Sequence, residues 1–157
     1  MTETERKFLV KSEAYKKQAH TRKRIVQGFL NTDPRRTVRI RIYGNTAVLT
    51  VKGMSNETGT TRFEWEREIG LKEAQALLEL CEKDILEKTR FEIPVGEHLF
   101  EVDEFHGLNK GLILAEVELK HENEPFEKPD WLGEEVTGDV RYYNSQLSKQ
   151  AYKTWKN

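Results

Sequence analysis

A chain of 157 residues with 36% hydrophobic content can bury one core and is short for two, so a single domain over residues 1–157 is expected. Charged residues make up 34% of the sequence, yet the formal net charge is only -1; a general affinity for nucleic acid is excluded and any strong field must come from local placement. The lone Cys81 excludes an internal disulfide, and no apolar run is long enough for a membrane span or a signal-peptide core, which points to a reducing, cytoplasmic setting with no membrane partner.

Most of the chain alternates apolar and polar residues between turn signals, the period of strands with one buried face. In chain order such segments lie near 2–10, 24–31, 37–43, 46–52, 61–69, 86–94, 98–106 and 112–120. The links are short: Gly44-Asn45 and Gly96-Glu97 read as hairpin turns and Asn56 to Gly59 as a polar loop, so neighbouring strands are expected to run antiparallel. Three segments read as helices instead. Ser12 to Ala19 follows a capping serine; Leu71 to Lys83 places Ala74, Leu77, Leu78 and Cys81 on one face, making Cys81 a small packing residue rather than a reactive thiol. The last, Val140 to Trp155, is capped by Asp139 and carries Tyr143, Leu147, Ala151 and Trp155 as a docking stripe. The architecture expected is α+β, a strand-rich body with peripheral helices and a C-terminal helix.

Successive strand side chains face opposite ways, so each segment divides into two sets by parity. One set is ionisable on strand after strand: Glu3, Glu5, Lys7; Arg39, Arg41; Lys52; Arg62, Glu64, Glu66, Glu68; Lys88, Arg90, Glu92; Glu101, Asp103; Glu116, Glu118, Lys120. The opposite set is apolar, from Val38, Ile40 and Ile42 through Phe63 and Trp65 to Val117 and Leu119, and is expected to form the core. Val48 and Thr50 break the split by sharing parity with Lys52. A merely wet sheet face accounts for any one strand, since Lys, Arg and Glu are ordinary there. It accounts poorly for the whole, because such a face mixes in Ser, Thr and Asn. Arg39, Arg41 and Lys52 are purely basic while Glu101, Asp103, Glu116 and Glu118 are acidic, so an ordered lining has a wall of each sign. Mg²⁺ or Mn²⁺ on carboxylates, together with a polyphosphate held by Arg and Lys, answers to both walls.

The ordered set Glu3-x-Glu5-x-Lys7, Arg39-x-Arg41, Lys52-Gly53, Glu64-x-Glu66, Lys88-x-Arg90, Val102-Asp103-x-Phe105-x-Gly107 and Glu116-Val117-Glu118 resembles the CYTH superfamily, the triphosphate tunnel metalloenzymes, over nearly the whole chain. The ending Glu135-Val136-Thr137-Gly138-Asp139, with Arg141-Tyr142 and Asn144, is similar to the family's C-terminal signature. The resemblance implies an eight-stranded antiparallel β-barrel forming a tunnel, with a triphosphate inside and Mg²⁺ or Mn²⁺ held by acidic residues. By position it makes Glu3, Glu5, Asp103, Glu116 and Glu118 candidate metal ligands and Lys7, Arg39, Arg41, Lys52, Lys88 and Arg90 candidate phosphate ligands. Glu64 and Glu66 take a metal, a water or the basic wall, and Arg62, Lys120 and Arg141 form an outer tier. Phe29 stands where related chains often show Tyr.

Hydrolysis needs an activated water in line with the terminal phosphorus and neutralisation of the leaving oxygens. Basic residues suit the second need, and the Glu3/Glu5 and Glu116/Glu118 pairs the first. His20, His98, His106 and His121 fall near strand ends or loops and are read as surface or structural residues. The opening run and compact length are similar to the bacterial inorganic triphosphatase branch. Adenylate cyclase of the same superfamily, thiamine or nucleoside triphosphatase, and a polyphosphate-binding module without turnover are the alternatives, and a homodimer is left open.

Overall fold

The computed structural model describes residues 1–155. It contains β1 (Thr2–Val10), α1 (Tyr15–Gln18), β2 (Thr21–Asn31), β3 (Arg36–Tyr43), β4 (Thr46–Gly53), β5 (Thr61–Ile69), α2 (Leu71–Leu78), β6 (Leu86–Val95), β7 (His98–Phe105), β8 (Ile113–Glu118), β9 (Leu132–Glu135) and α3 (Asn144–Leu147). Every strand pair is antiparallel. Neighbours run β5-β4-β3-β2-β6-β7-β8-β1, and β5 pairs again with β1, so eight strands close into a barrel with no open edge between them.

The first strand makes the closure. Its even residues bond toward β8, with Leu119 N donating to Thr4 O, while its odd residues face the other edge. There Glu5 N donates to Thr60 O beside β5, and farther on Val136 N donates to Lys7 O beyond the end of β9. The ninth strand thus takes up the edge of β1 that β5 does not reach. At four residues, without clear alternation, β9 gave no periodic signal in the sequence.

The apolar side of the strands is the outside of the barrel, so the core is a set of layers between the barrel wall and the segments that wrap it. Tyr15 of α1 and Trp131 of the β8–β9 connection pack over Phe91, Ile93, Phe100 and Val102, with aromatic rings edge-on at 5.4–5.9 Å. The α2 helix covers Ile40, Ala47, Ile42, Leu49 and Ile69 through Ala74, Leu77 and Leu78. Cys81 joins that cluster with its thiol directed to Leu77 O, the packing role expected of it.

The helices are shorter than the periodicity predicts. Tyr15–Gln18 is a single turn, and α2 ends at Leu78, after which Leu80 and Cys81 continue in tight three-residue turns. The single helix expected over 140–155 is three pieces: a 3₁₀ turn at Val140–Tyr142, α3, and a 3₁₀ turn at Tyr152–Thr154. Tyr143 and Ala151 break it in extended conformations. Tertiary partners outcompete the helical ladder: Tyr152 N donates to Asn109 Oδ1, and the Asn144 side chain is held by residues of the barrel. The stripe still docks, with Leu147 and Ala151 buried and Trp155 packed on Tyr142 and Tyr152.

Candidate active site

The charged parity lines the inside of the barrel, around a cavity of about 220 Å³. Lys7, Arg39, Arg41, Lys52, Arg62, Lys88 and Arg90 all face it, as do Glu3, Glu5, Glu64, Glu66, Glu101, Glu116 and Glu118. The tunnel therefore gathers as many carboxylates as cations. Strand register interleaves them more than two separate walls would: Lys7 lies opposite Glu116, Lys52 opposite Glu64, Arg62 opposite Glu3, and Arg90 opposite Asp103.

Contacts follow the register. Glu3 Oε1 accepts from Lys52 Nζ at 2.8 Å and from Arg62 Nε at 3.1 Å. Burial by itself raises the Glu3 pKa, but Lys52 and Arg62 bring it down to about 2. Arg39, buried, reaches Thr50 Oγ1 at 3.1 Å and Glu66 Oε2 at 3.5 Å. Among the described residues Arg41 has only an amide partner, Gln27, whose Oε1 accepts from its Nε at 3.0 Å. Burial, then Arg39 and Arg90, push the Arg41 pKa down, the mark of a cation without a counter-charge.

Three sequence candidates stand apart from the cavity wall. Asp103, 2% exposed, lies behind the wall: its carboxylate accepts from Arg90 Nε at 2.8 Å, Arg90 Nη2 at 2.9 Å and Lys88 Nζ at 2.8 Å. Burial raises its pKa, and Arg90 and Lys88 outweigh that to hold it well below the carboxylate range. Lys120 is exposed and lies at the outer mouth with Glu97, His98 and Glu124. Arg141 is exposed on the outside of the barrel, paired with Asp139 at 2.7 Å and stacked near Trp155. Its signal, a basic residue in the C-terminal signature, reflected the capping of a 3₁₀ turn: Asp139 Oδ1 accepts from Arg141 N.

Cavity-lining residues outside the sequence candidates are polar or aromatic: Phe29, Thr37, Thr50, Tyr143, Asn144 and Ser145. Thr37 and Thr50 share parity with Arg39 and Lys52, so parity alone pointed to them; their neutral side chains hid them among the charges. Tyr143–Ser145 comes from the irregular C-terminal segment, where no periodicity could place it. The histidines stay out of the tunnel proper, His98 on Glu124 and His106 on Thr89.

Two observations suit the tunnel to a polyanion and a metal. Thr37 Oγ1 and Arg39 Nε are buried without a hydrogen-bond partner among the described residues, an unmet demand in a wall otherwise well bonded. Carboxylates also face carboxylates: Glu5 is opposite Glu118, and Glu101 opposite Glu116. Burial and the charge of Glu116 raise the Glu5 pKa well above its ordinary value, while for Glu116 burial is outweighed by Lys7 and the neighbouring Glu5, which take it well below its own. Burial and Glu3 likewise lift Glu64 to about 7. Hard oxygen donors crowded together against their own repulsion fit a divalent cation. Among the described residues no three carboxylate, His or Cys side chains form a finished metal cluster. That agrees with a Mg²⁺-type site, where a few carboxylates are completed by water and substrate phosphate.

The sequence matches the CYTH domain over residues 1–152. The chain belongs to the CYTH family. Within it, an inorganic triphosphatase of Acetivibrio thermocellus is 48% identical over 157 residues, covering 98% of this chain and 97% of the relative. An inorganic triphosphatase of Nitrosomonas europaea is 38% identical over 154 residues, covering 94% and 97%. The crystal structure of the inorganic triphosphatase NE1496 superposes with a TM-score of 0.65 at 34% identity, covering 92% of this chain and 96% of that one. Among CYTH features, the closed eight-strand barrel matches; the extra strand β9 and the short helices lie around it.

Proposed function

We propose that this chain hydrolyses inorganic triphosphate with the help of a divalent cation, Mg²⁺ or Mn²⁺. The observation that carries the reading is the closed tunnel whose lining is almost wholly ionisable, with cations and closely spaced carboxylates on one inner surface. Its CYTH relatives named inorganic triphosphatase, similar over nearly their full length, support the same activity.

Each residue has a part that follows from its contacts. Arg39, Arg41, Lys88 and Arg90 face the cavity as donors to phosphoryl oxygens, Arg in two-pronged fashion and Lys as a point charge. Lys7, Lys52 and Arg62 border the carboxylates and join the anion to the acidic side. Glu3, Glu5, Glu116 and Glu118 are the residues that would hold the metal, with Glu64 beside Glu3. When bound, the metal supplies charge neutralisation at phosphate oxygens and a more acidic water. Asp103 is assigned here as the counter-ion that orients Lys88 and Arg90 rather than as a metal ligand, because Arg90 and Lys88 take up its oxygens. Lys88, 1% exposed, has its pKa lowered to about 7 by burial, against which Asp103 holds its charge.

The cavity favours a compact substrate over a nucleoside. Phe29 and Tyr143 are the aromatic side chains in a lining otherwise of charged and small polar groups, a poor seat for adenine or thiamine. None of the described helices is long and apolar enough to cross a membrane, and the half-buried free Cys81 suits the cytoplasm, where we place the reaction. The test is phosphate release from tripolyphosphate, ATP and thiamine triphosphate with Mg²⁺ or Mn²⁺, with and without chelator, together with a cyclic AMP assay. Fastest metal-dependent release from tripolyphosphate is expected; cyclic AMP as the main product, or no turnover of any compound, refutes the proposal.

A further inference from the structure

Two neutral side chains link the cations of the tunnel. Asn144 Oδ1 accepts from Lys88 Nζ at 2.7 Å and from Gln27 Nε2 at 2.7 Å, while Gln27 Oε1 accepts from Arg41 Nε at 3.0 Å. The relay thus runs from β3 through β2 and α3 to β6. Gln27 is fully buried, so its amide meets its partners without competition from water.

The ends of the relay determine its direction. Arginine and lysine can only donate, so Gln27 must turn its oxygen to Arg41, which leaves its NH₂ for Asn144. Asn144 must then offer its oxygen, the same group Lys88 requires. Neither amide can flip without setting donor against donor. Asn144 and Asp103 take two of the three Lys88 donors and leave the third for the cavity that Lys88 lines. With Nε committed to Gln27, the terminal nitrogens of Arg41 are directed to the same cavity, where no described residue hydrogen-bonds them.

The choice of amides has a chemical consequence. Arg90 is oriented by carboxylates, Asp103 and Glu101, which cancel part of its charge. A carboxylate at position 27 would orient Arg41 as firmly and neutralise it too, and one at 144 would add a second carboxylate to Lys88, which already shares Asp103 with Arg90. An amide orients without neutralising, which leaves the charge available to a polyanion.

We propose that Gln27 and Asn144 are positioning residues that hold Arg41 and Lys88 on the triphosphate without adding a carboxylate to either cation, and that the C-terminal segment completes the site by supplying Asn144. This rests on the triphosphatase reading, and the experiment separates the two. The full-length enzyme is compared with Gln27→Met, which keeps volume, with Asn144→Ala, with the double variant and with Asn144→Asp, using tripolyphosphate and Mg²⁺.

Each of the first two substitutions is expected to lower kcat about tenfold, and the double variant about tenfold as well rather than about a hundredfold, because one relay is broken either way. Asn144→Asp is expected to keep or raise the melting temperature while raising KM about tenfold, a pattern a merely structural residue does not produce. Single variants within twofold of wild type, or a double variant whose losses multiply, overturn the relay. If Gln27→Met does not fold, Asn144→Ala and Asn144→Asp decide alone on the same criteria. If the wild type leaves tripolyphosphate uncleaved, the hydrolytic reading falls by itself. Calorimetry of tripolyphosphate binding then tests the relay: affinity about tenfold weaker in Asn144→Ala supports it, and equal affinity overturns it.

Discussion

Asp103 shows how far a residue's type can mislead about its role. An acidic residue on the charged parity of a strand reads as a metal ligand, yet in the fold it is the counter-ion beneath two buried cations, Arg90 and Lys88. The two roles differ measurably. A metal ligand replaced by its amide loses metal affinity and leaves the metal-free protein about as stable as before. A buried counter-ion replaced by its amide strands the charges it served, which typically costs about 3–5 kcal/mol. For Asp103→Asn we therefore expect a loss of that size in urea unfolding without metal, and loss of turnover with it. The pH dependence has a definite sign. With a carboxyl held below its unfolded value, the stabilisation is complete above the ordinary aspartate range and is lost as pH falls through the depressed value, so wild type and Asp103→Asn converge only in strong acid.

At the scale of elements, alternation located all eight barrel strands to within a few residues, because each has one face in the tunnel and most have the other against apolar cover; β5 is the exception, its Phe63, expected in the core, being 45% exposed. Inside and outside differ so sharply in charge that parity also collected most of the lining. Where side chains obeyed tertiary partners instead of a period, nothing was legible: Gln27 is a neutral residue in a strand, and Tyr143–Ser145 lies in the segment that reads as a continuous helix but is broken at Tyr143. That segment meets the β4–β5 loop in a close backbone contact, beside which the Tyr143 hydroxyl lies 3.5 Å from Ser55 Oγ. A Cβ at Gly59 would come within 2.3 Å of Gly138 Cα and one at Gly138 within 3.0 Å of Thr58 O; both glycines have positive φ, 77° and 81°. Neither the contact nor the conformation tolerates a side chain. Gly59→Ala is expected to cost about 1–3 kcal/mol in urea unfolding and to slow turnover by shifting Tyr143, which lines the cavity beside this contact. Unchanged stability would mean that the loops part easily and that the segment is not fixed there.

For the molecule as a whole, the tunnel sets stability against function. Its apolar layers lie outside the barrel, so the lumen is filled with charges that the fold buries without fully satisfying: Glu5 is crowded by Glu116 and Glu3, and polar atoms of Thr37 and Arg39 have no partner among the described residues. Ligand and metal together relieve these costs only in the folded state, since the unfolded chain holds no such arrangement. Saturating tripolyphosphate with Mn²⁺, at about a hundred times its dissociation constant, should therefore stabilise the protein by about 2.7 kcal/mol, or roughly 5–10 °C in melting temperature at this chain length. Each ligand alone answers half of the demand: the anion without metal leaves the crowded carboxylates repelling one another, and the metal without anion leaves Arg41 and its neighbours uncompensated. Thermal unfolding is thus expected to show a shift with both that exceeds the sum of the shifts with each. Simple additivity would show that the cations and the carboxylates act as two independent sites rather than as one lining.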